Sequence, residues 1–138
     1  MKFNRKASAN WKGPGKDGKG TLTTASSVLN NTQYSFKSRF EEGIGTNPEE
    51  LIGAAHAGCF TMQLSFLLGE VGYTPENLDT EAVITFEDGN ITQSHLSLTG
   101  TVPGIGKEEF DQIAKKAKEI CPISKLLKTE ITLSTELS

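Results

Sequence analysis

Apolar residues at the start of the chain recur on alternate positions. Phe3, Ala7, Ala9 and Trp11 share one parity, the spacing of a strand with one covered face. Gly13-Pro14-Gly15-Lys16-Asp17-Gly18-Lys19-Gly20 is turn chemistry, and Thr21-Leu22-Thr23-Thr24 resumes a β-branched run. Tyr34, Phe36, Ser38 and Phe40 alternate again, so a three-stranded meander is expected, with Arg39 at the end of its third strand. At Thr46 the pattern changes. Asn47 suits a helix N-cap and Pro48 the first helical position, while Glu49 and Glu50 complement the positive end of the helix dipole. The residues that follow, Leu51 to Gly69, carry no formal charge at all.

Farther on, Ala82, Ile84 and Phe86 alternate with polar neighbours, and Asp88-Gly89 signals a hairpin. The return strand places Leu96, Leu98 and Val102 on one face and His95 on the other. Lys107 to Cys121 reads as a second helix, with Phe110, Ile113, Ala114, Ala117 and Cys121 at helical spacing and Pro122 ending or restarting it. Ile131, Leu133 and Leu137 close the chain as a strand. The order β-β-β-α-β-β-α-β predicts an α+β fold, with antiparallel sheets and a long buried central helix, in one domain spanning residues 1–138.

The uncharged run is long enough to span a membrane. His56, Thr61, Gln63, Ser65 and three glycines within it argue instead for a core helix, because polar residues carry insertion penalties. A helix that is apolar nearly all round needs cover on every side. One sheet in a small chain covers one face, so the other face predicts a two-fold homodimer.

Composition narrows the partners. Lysine and arginine total 14 against 17 acidic residues, a net charge of −3 that disfavours polyanions, so no nucleic-acid partner is expected. The first residues have basic character without an apolar run behind it, so no signal peptide is expected and the reducing cytoplasm is the expected compartment. Gly13 to Gly18 matches a dinucleotide pattern, and Gly13 to Lys19 nearly matches a phosphate loop. Both patterns need a helix to follow, and here a strand-like stretch does.

Two cysteines remain as candidate chemistry. Each taken alone favours packing, since free cysteine is often only a small buried filler. Both nevertheless face inward on helices, and a thiol pair in a reducing compartment points to redox or metal chemistry. The metal signal is weak: His56 and Cys59 are three residues apart on a helix, but no CxxC pair exists. No cofactor is expected. Cys59 could also pair with His56 as a hydrolase, although nothing marks an oxyanion hole. An activated thiol needs nearby positive charge, and the surrounding helix supplies none. Arg39 is a candidate, but spacing alone favours a solvated charge there.

Thr46-Asn47-Pro48-Glu49-Glu50-Leu51-Ile52-Gly53-Ala54-Ala55-His56-Ala57-Gly58-Cys59-Phe60 strongly resembles the signature of the OsmC/Ohr family of organic hydroperoxide reductases. Ala117-Lys118-Glu119-Ile120-Cys121-Pro122-Ile123-Ser124 resembles that family's second cysteine motif, and the Gly-Ala-Ala-His-Ala-Gly-Cys form looks more like the OsmC branch. The resemblance covers essentially the whole chain. It implies an intertwined homodimer, with active sites at the interface, that reduces organic hydroperoxides and, less well, hydrogen peroxide. It further implies that Cys59 is the peroxidatic thiol, Cys121 the resolving thiol, Arg39 the thiolate stabiliser and Glu49 the carboxylate that holds it. Family reductants are lipoylated proteins or other dithiols. Glu49 lies ten residues before Cys59, about 15 Å along a helix, so it acts through Arg39 or across a dimer. A hydrolase using Cys59 and His56, and a non-enzymatic dimer binding small apolar ligands, remain as rivals.

Overall fold

A computed structural model describes all residues from Met1 to Ser138. The chain divides into two compact units, Met1–Leu51 and Ile52–Ser138.

The first unit is built on an antiparallel sheet in the order β1 (Ala7–Lys12), β2 (Lys19–Thr24), β3 (Thr32–Tyr34). Pairing of Lys12 with Lys19 makes the glycine-rich stretch a hairpin loop, and the Trp11 indole closes it by donating to the carbonyls of Gly13 and Pro14. A strand therefore follows this loop, and the helix end that binds a phosphate is missing. The third strand is shorter than its alternation predicts. Phe36–Phe40 forms a one-turn helix, α1, because Ser35 and Ser38 make a reciprocal capping box. Arg39 consequently sits on α1 and not at a strand end. Across Met1–Leu51 only Gly20, Ser38 and Thr46 are buried, so this unit encloses no apolar side chain.

Helix α2 (Pro48–Glu70) starts as its sequence predicts, with the Asn47 side chain accepting from the Glu50 amide at 2.7 Å and Pro48 in the first position. By length and composition it could cross a membrane. Within the second unit its buried residues, Gly53, His56, Phe60, Leu64, Leu67 and Leu68, form one stripe at helical spacing. The opposite stripe is also apolar yet exposed, including Ala54, Ala55, Gly58, Met62 and Phe66, the last two each 65% accessible.

That buried stripe meets a second sheet, ordered β4 (Asn77–Glu87), β5 (Asn90–Thr101), β6 (Glu130–Leu137). Asp88 and Gly89 both take positive φ in the β4–β5 turn, the backbone such a two-residue hairpin requires. Ser94, Leu96, Leu98 and Gly100 point inward from β5, while His95 on the other face bonds Thr132. β6 pairs parallel with β5, so this sheet is mixed where antiparallel pairing is expected. The reason is the connection: α3 (Lys107–Ile120) and α4 (Pro122–Leu126) carry the chain back across the sheet before β6 begins. α3 buries Phe110, Ala114 and Ala117 against the same core. Gly100 makes room for it, since a Cβ there would lie 2.6 Å from the Phe110 ring.

Candidate functional site

Two pairs of candidate residues are brought together, one in each unit. In Met1–Leu51, α1 presents Arg39 to Glu49 in the first turn of α2. The guanidinium forks onto the carboxylate, Nε to Oε1 at 2.9 Å and an η-nitrogen to Oε2 at 3.0 Å. Ser38 supports this arrangement from within α1, donating to the Thr46 carbonyl at 2.8 Å and accepting through its own carbonyl from the Asn47 amide. Thr46 in turn donates to Glu50 at 2.6 Å. These bonds tie α1 to the start of α2, so the orientation of Arg39 is set by hydrogen bonds on both sides of the loop between them. Partial exposure of the ion pair makes its value geometric more than energetic.

In Ile52–Ser138, the Cys121 and Cys59 sulfurs lie 2.8 Å apart and share a hydrogen bond. Both cysteines are free. Cys59 is half-buried and Cys121 fully buried. Cys121 caps the end of α3, and Pro122 begins α4, so the proline anticipated as a break places the second thiol at a helix junction. Burial pushes the Cys59 thiol above its ordinary pKa, and the Cys121 hydrogen bond adds to this; the Ile123 backbone N–H on its sulfur acts the other way. The thiol pair alone therefore holds Cys59 protonated. A cation is needed to make it a nucleophile.

His56, one turn before Cys59, is completely buried, with Nδ1 2.6 Å from the Ser94 hydroxyl and Nε2 2.8 Å from the Ser124 hydroxyl. This corrects the hydrolase alternative: both ring nitrogens are occupied by serines, so neither serves as a base on Cys59. Ser94 lies in no motif of the sequence, and Ser124 is marked only as the last residue of the second cysteine motif. Only the parity of Ser94 with Leu96 and Leu98 marks it as inward-facing. No group of three His, Cys, Asp or Glu side chains is arranged to hold a metal ion.

Burial lowers the His56 pKa below its usual value of about 6.5. Above that value the ring is neutral in folded and unfolded chains, and the shift costs nothing. As pH falls through it the unfolded chain takes up a proton first, so stability is lost with acidity. Urea denaturation at successive pH values from about 7.5 to 5.5 should show a falling midpoint, steepening to at most about 1.4 kcal/mol per pH unit for one proton. In His56→Gln that slope should be largely abolished, whatever its baseline stability.

The OsmC-like protein family profile matches residues 41–136. The chain is 50% identical over 141 residues to the protein named Peroxiredoxin OsmC of Escherichia coli (strain K12), covering 99% of each. Among solved structures, an OsmC-like protein from Mycoplasma pneumoniae aligns over 99% of both chains with a TM-score of 0.78 at 12% identity. The organic hydroperoxide resistance protein OhrB of Bacillus subtilis aligns over 99% of this chain and 98% of its own, with a TM-score of 0.70 at 23% identity. At these identities the two structures speak for the fold. Together with the full-length relative and the profile match, they establish that this chain belongs to the OsmC-like protein family.

Proposed function

We propose that this protein is a cysteine-based peroxidase that reduces organic hydroperoxides, and hydrogen peroxide less well, as a homodimer. The observation that carries this reading is the thiol pair: two free sulfurs 2.8 Å apart, of which only Cys59 has solvent access. The Escherichia coli relative, a peroxiredoxin by name, supports the reaction class.

In the proposed cycle, the Cys59 thiolate attacks the distal oxygen of the hydroperoxide. The O–O bond breaks, the alkoxide takes a proton and leaves as an alcohol, and Cys59 becomes a sulfenic acid. Cys121 then attacks that sulfur, displacing hydroxide, which leaves as water with the proton from the Cys121 thiol. The product is a disulfide, and an external dithiol such as a lipoylated protein reduces it by exchange. Two thiols supply the two electrons that cleave the peroxide. A reducing compartment such as the cytoplasm suits the cycle, because the thiols must return to their reduced form between turnovers.

Arg39 supplies the positive charge that burial of Cys59 demands. Its charge is permanent, and the Glu49 fork fixes the plane of the guanidinium; since the carboxylate offsets that charge at a distance, a thiolate gains from Arg39 only where the sulfur lies nearer the guanidinium than the carboxylate. In the proposed cycle Arg39 stabilises the attacking thiolate. Dimerisation is supported by two exposed apolar features, the second stripe of α2 and the absence of any buried apolar side chain in Met1–Leu51. Leaving such surface in water forgoes about 25 cal/mol per Å².

Three outcomes follow from this proposal. After one equivalent of hydroperoxide, mass spectrometry should find wild type lighter by two hydrogens, Cys121→Ser heavier by one oxygen at Cys59, and Cys59→Ser unchanged. Oxygen arriving at Cys121 in Cys59→Ser as fast as at Cys59 in the reverse variant would overturn the assignment. Arg39→Ala should raise the Cys59 pKa and slow peroxide consumption at neutral pH by about tenfold for each pKa unit gained, with Arg39→Lys recovering part of the rate. Light scattering at micromolar concentration should return twice the monomer mass, and a folded monomer there would refute the dimer.

A further inference from the structure

His56 is a buried, polar, titratable side chain to which the peroxidase cycle gives no task. Its surroundings assign one. Ser94 on β5 holds one ring nitrogen at 2.6 Å, and Ser124 on α4 holds the other at 2.8 Å. Each hydroxyl can donate or accept, so a neutral ring is satisfied at both ends in either tautomer. The ring thus spans from the sheet to α4 while its backbone belongs to α2.

The spacing of the contacts is the second observation. His56 and Cys59 are three residues apart on α2, neighbours on one face. Cys121 and Ser124 are likewise three apart across the α3–α4 junction. His56 meets Ser124, and Cys59 meets Cys121, so the two segments run antiparallel with two matched rungs. Of these rungs, only His56–Ser124 is independent of the sulfurs and persists when they react. An apolar side chain in place of His56 could fill the space, but it would not set a register, because burial of apolar surface has no direction.

We propose that His56 is a positioning residue for the thiol exchange: through Ser124 it holds the Cys121–Ser124 turn in register with Cys59, so that the sulfenic acid is resolved before a second peroxide reaches it. The proposal rests on the assignment of Cys59 as the attacking and Cys121 as the resolving thiol. In the step concerned, the Cys121 sulfur bonds to the Cys59 sulfur as the S–O bond breaks, and hydroxide leaves with the thiol proton as water. In the competing step a second hydroperoxide passes one oxygen to the sulfenic acid, giving a sulfinic acid and an alcohol. Ser94 fixes the far side of the ring and so its direction.

The test compares Ser124→Thr, which keeps the hydroxyl, with Ser124→Val, which has the same shape without it. Reduced full-length protein is mixed with cumene hydroperoxide. Peroxide loss reports the first step, and acid-quenched mass spectrometry follows the disulfide, two hydrogens lighter, and the sulfinic acid, two oxygens heavier. Ser124→Val should consume the first equivalent within about twofold of Ser124→Thr. It should form the disulfide about three- to tenfold more slowly, the factor an ordinary hydrogen bond is worth, and yield correspondingly more sulfinic acid. Equal disulfide rates in the two variants would overturn the proposal, as would equal slowing of both steps. Ser124→Ala against wild type carries the same comparison where the larger side chains disturb folding. Wild type that fails to consume peroxide would sink the peroxidase reading instead. The register is then read with diamide, which drives the same dithiol to a disulfide: slower closure in Ser124→Val supports it, and equal closure refutes it.

Discussion

A helix without a polar face is the constraint on which the rest of this protein depends. From Leu51 to Gly69, α2 has no charge to turn toward water, and its buried stripe around Phe60, Leu64 and Leu68 organises the core with β5 and α3. Ionisable chemistry is costly in such surroundings. Cys59, placed on this helix, is accordingly pushed toward its neutral thiol, while His56 is held neutral between two serines. The second stripe, with Met62 and Phe66 exposed, is the same composition without a partner, which is why the proposed function includes a second copy of the chain.

Reactivity in this setting has to be imported. An arginine is suited to that, since its charge survives partial burial and its fork can be aimed by a carboxylate. The capped turn of α1, together with the Ser38, Thr46 and Asn47 bonds, aims Arg39 and Glu49 at each other within Met1–Leu51. The thiol pair is organised by different means: a helix break at Pro122 turns Cys121 toward Cys59, and the His56–Ser124 bond lies alongside. The proposed nucleophile and its proposed stabiliser are thus preorganised separately, each on a scaffold of local hydrogen bonds. In the proposed cycle their meeting is what converts a neutral buried thiol into a thiolate.

What the chain determined by itself was mostly local. Asn47, Pro48 and the two acids after them announced the start of α2, Asp88-Gly89 announced a hairpin, and the period of Phe110, Ala114 and Ala117 announced α3, because caps, turns and amphipathic stripes act over a few residues. The family signature extended that reach to the nomination of four site residues, of which the fold pairs Arg39 with Glu49 and Cys59 with Cys121. Tertiary structure decided the rest. The alternation through Phe36 and Phe40 yielded to a serine capping box, since a satisfied helix end outweighs a short apolar pattern. Parallel pairing of β6 depended on where α3 and α4 deliver the chain, which no strand encodes in its own residues. The partners of His56 lie far away in sequence, on Ser94 and Ser124, and a serine carries no periodic signal of its destination. Hydrogen bonds between distant residues are chosen by packing, so they become legible only once the elements that carry them are in place.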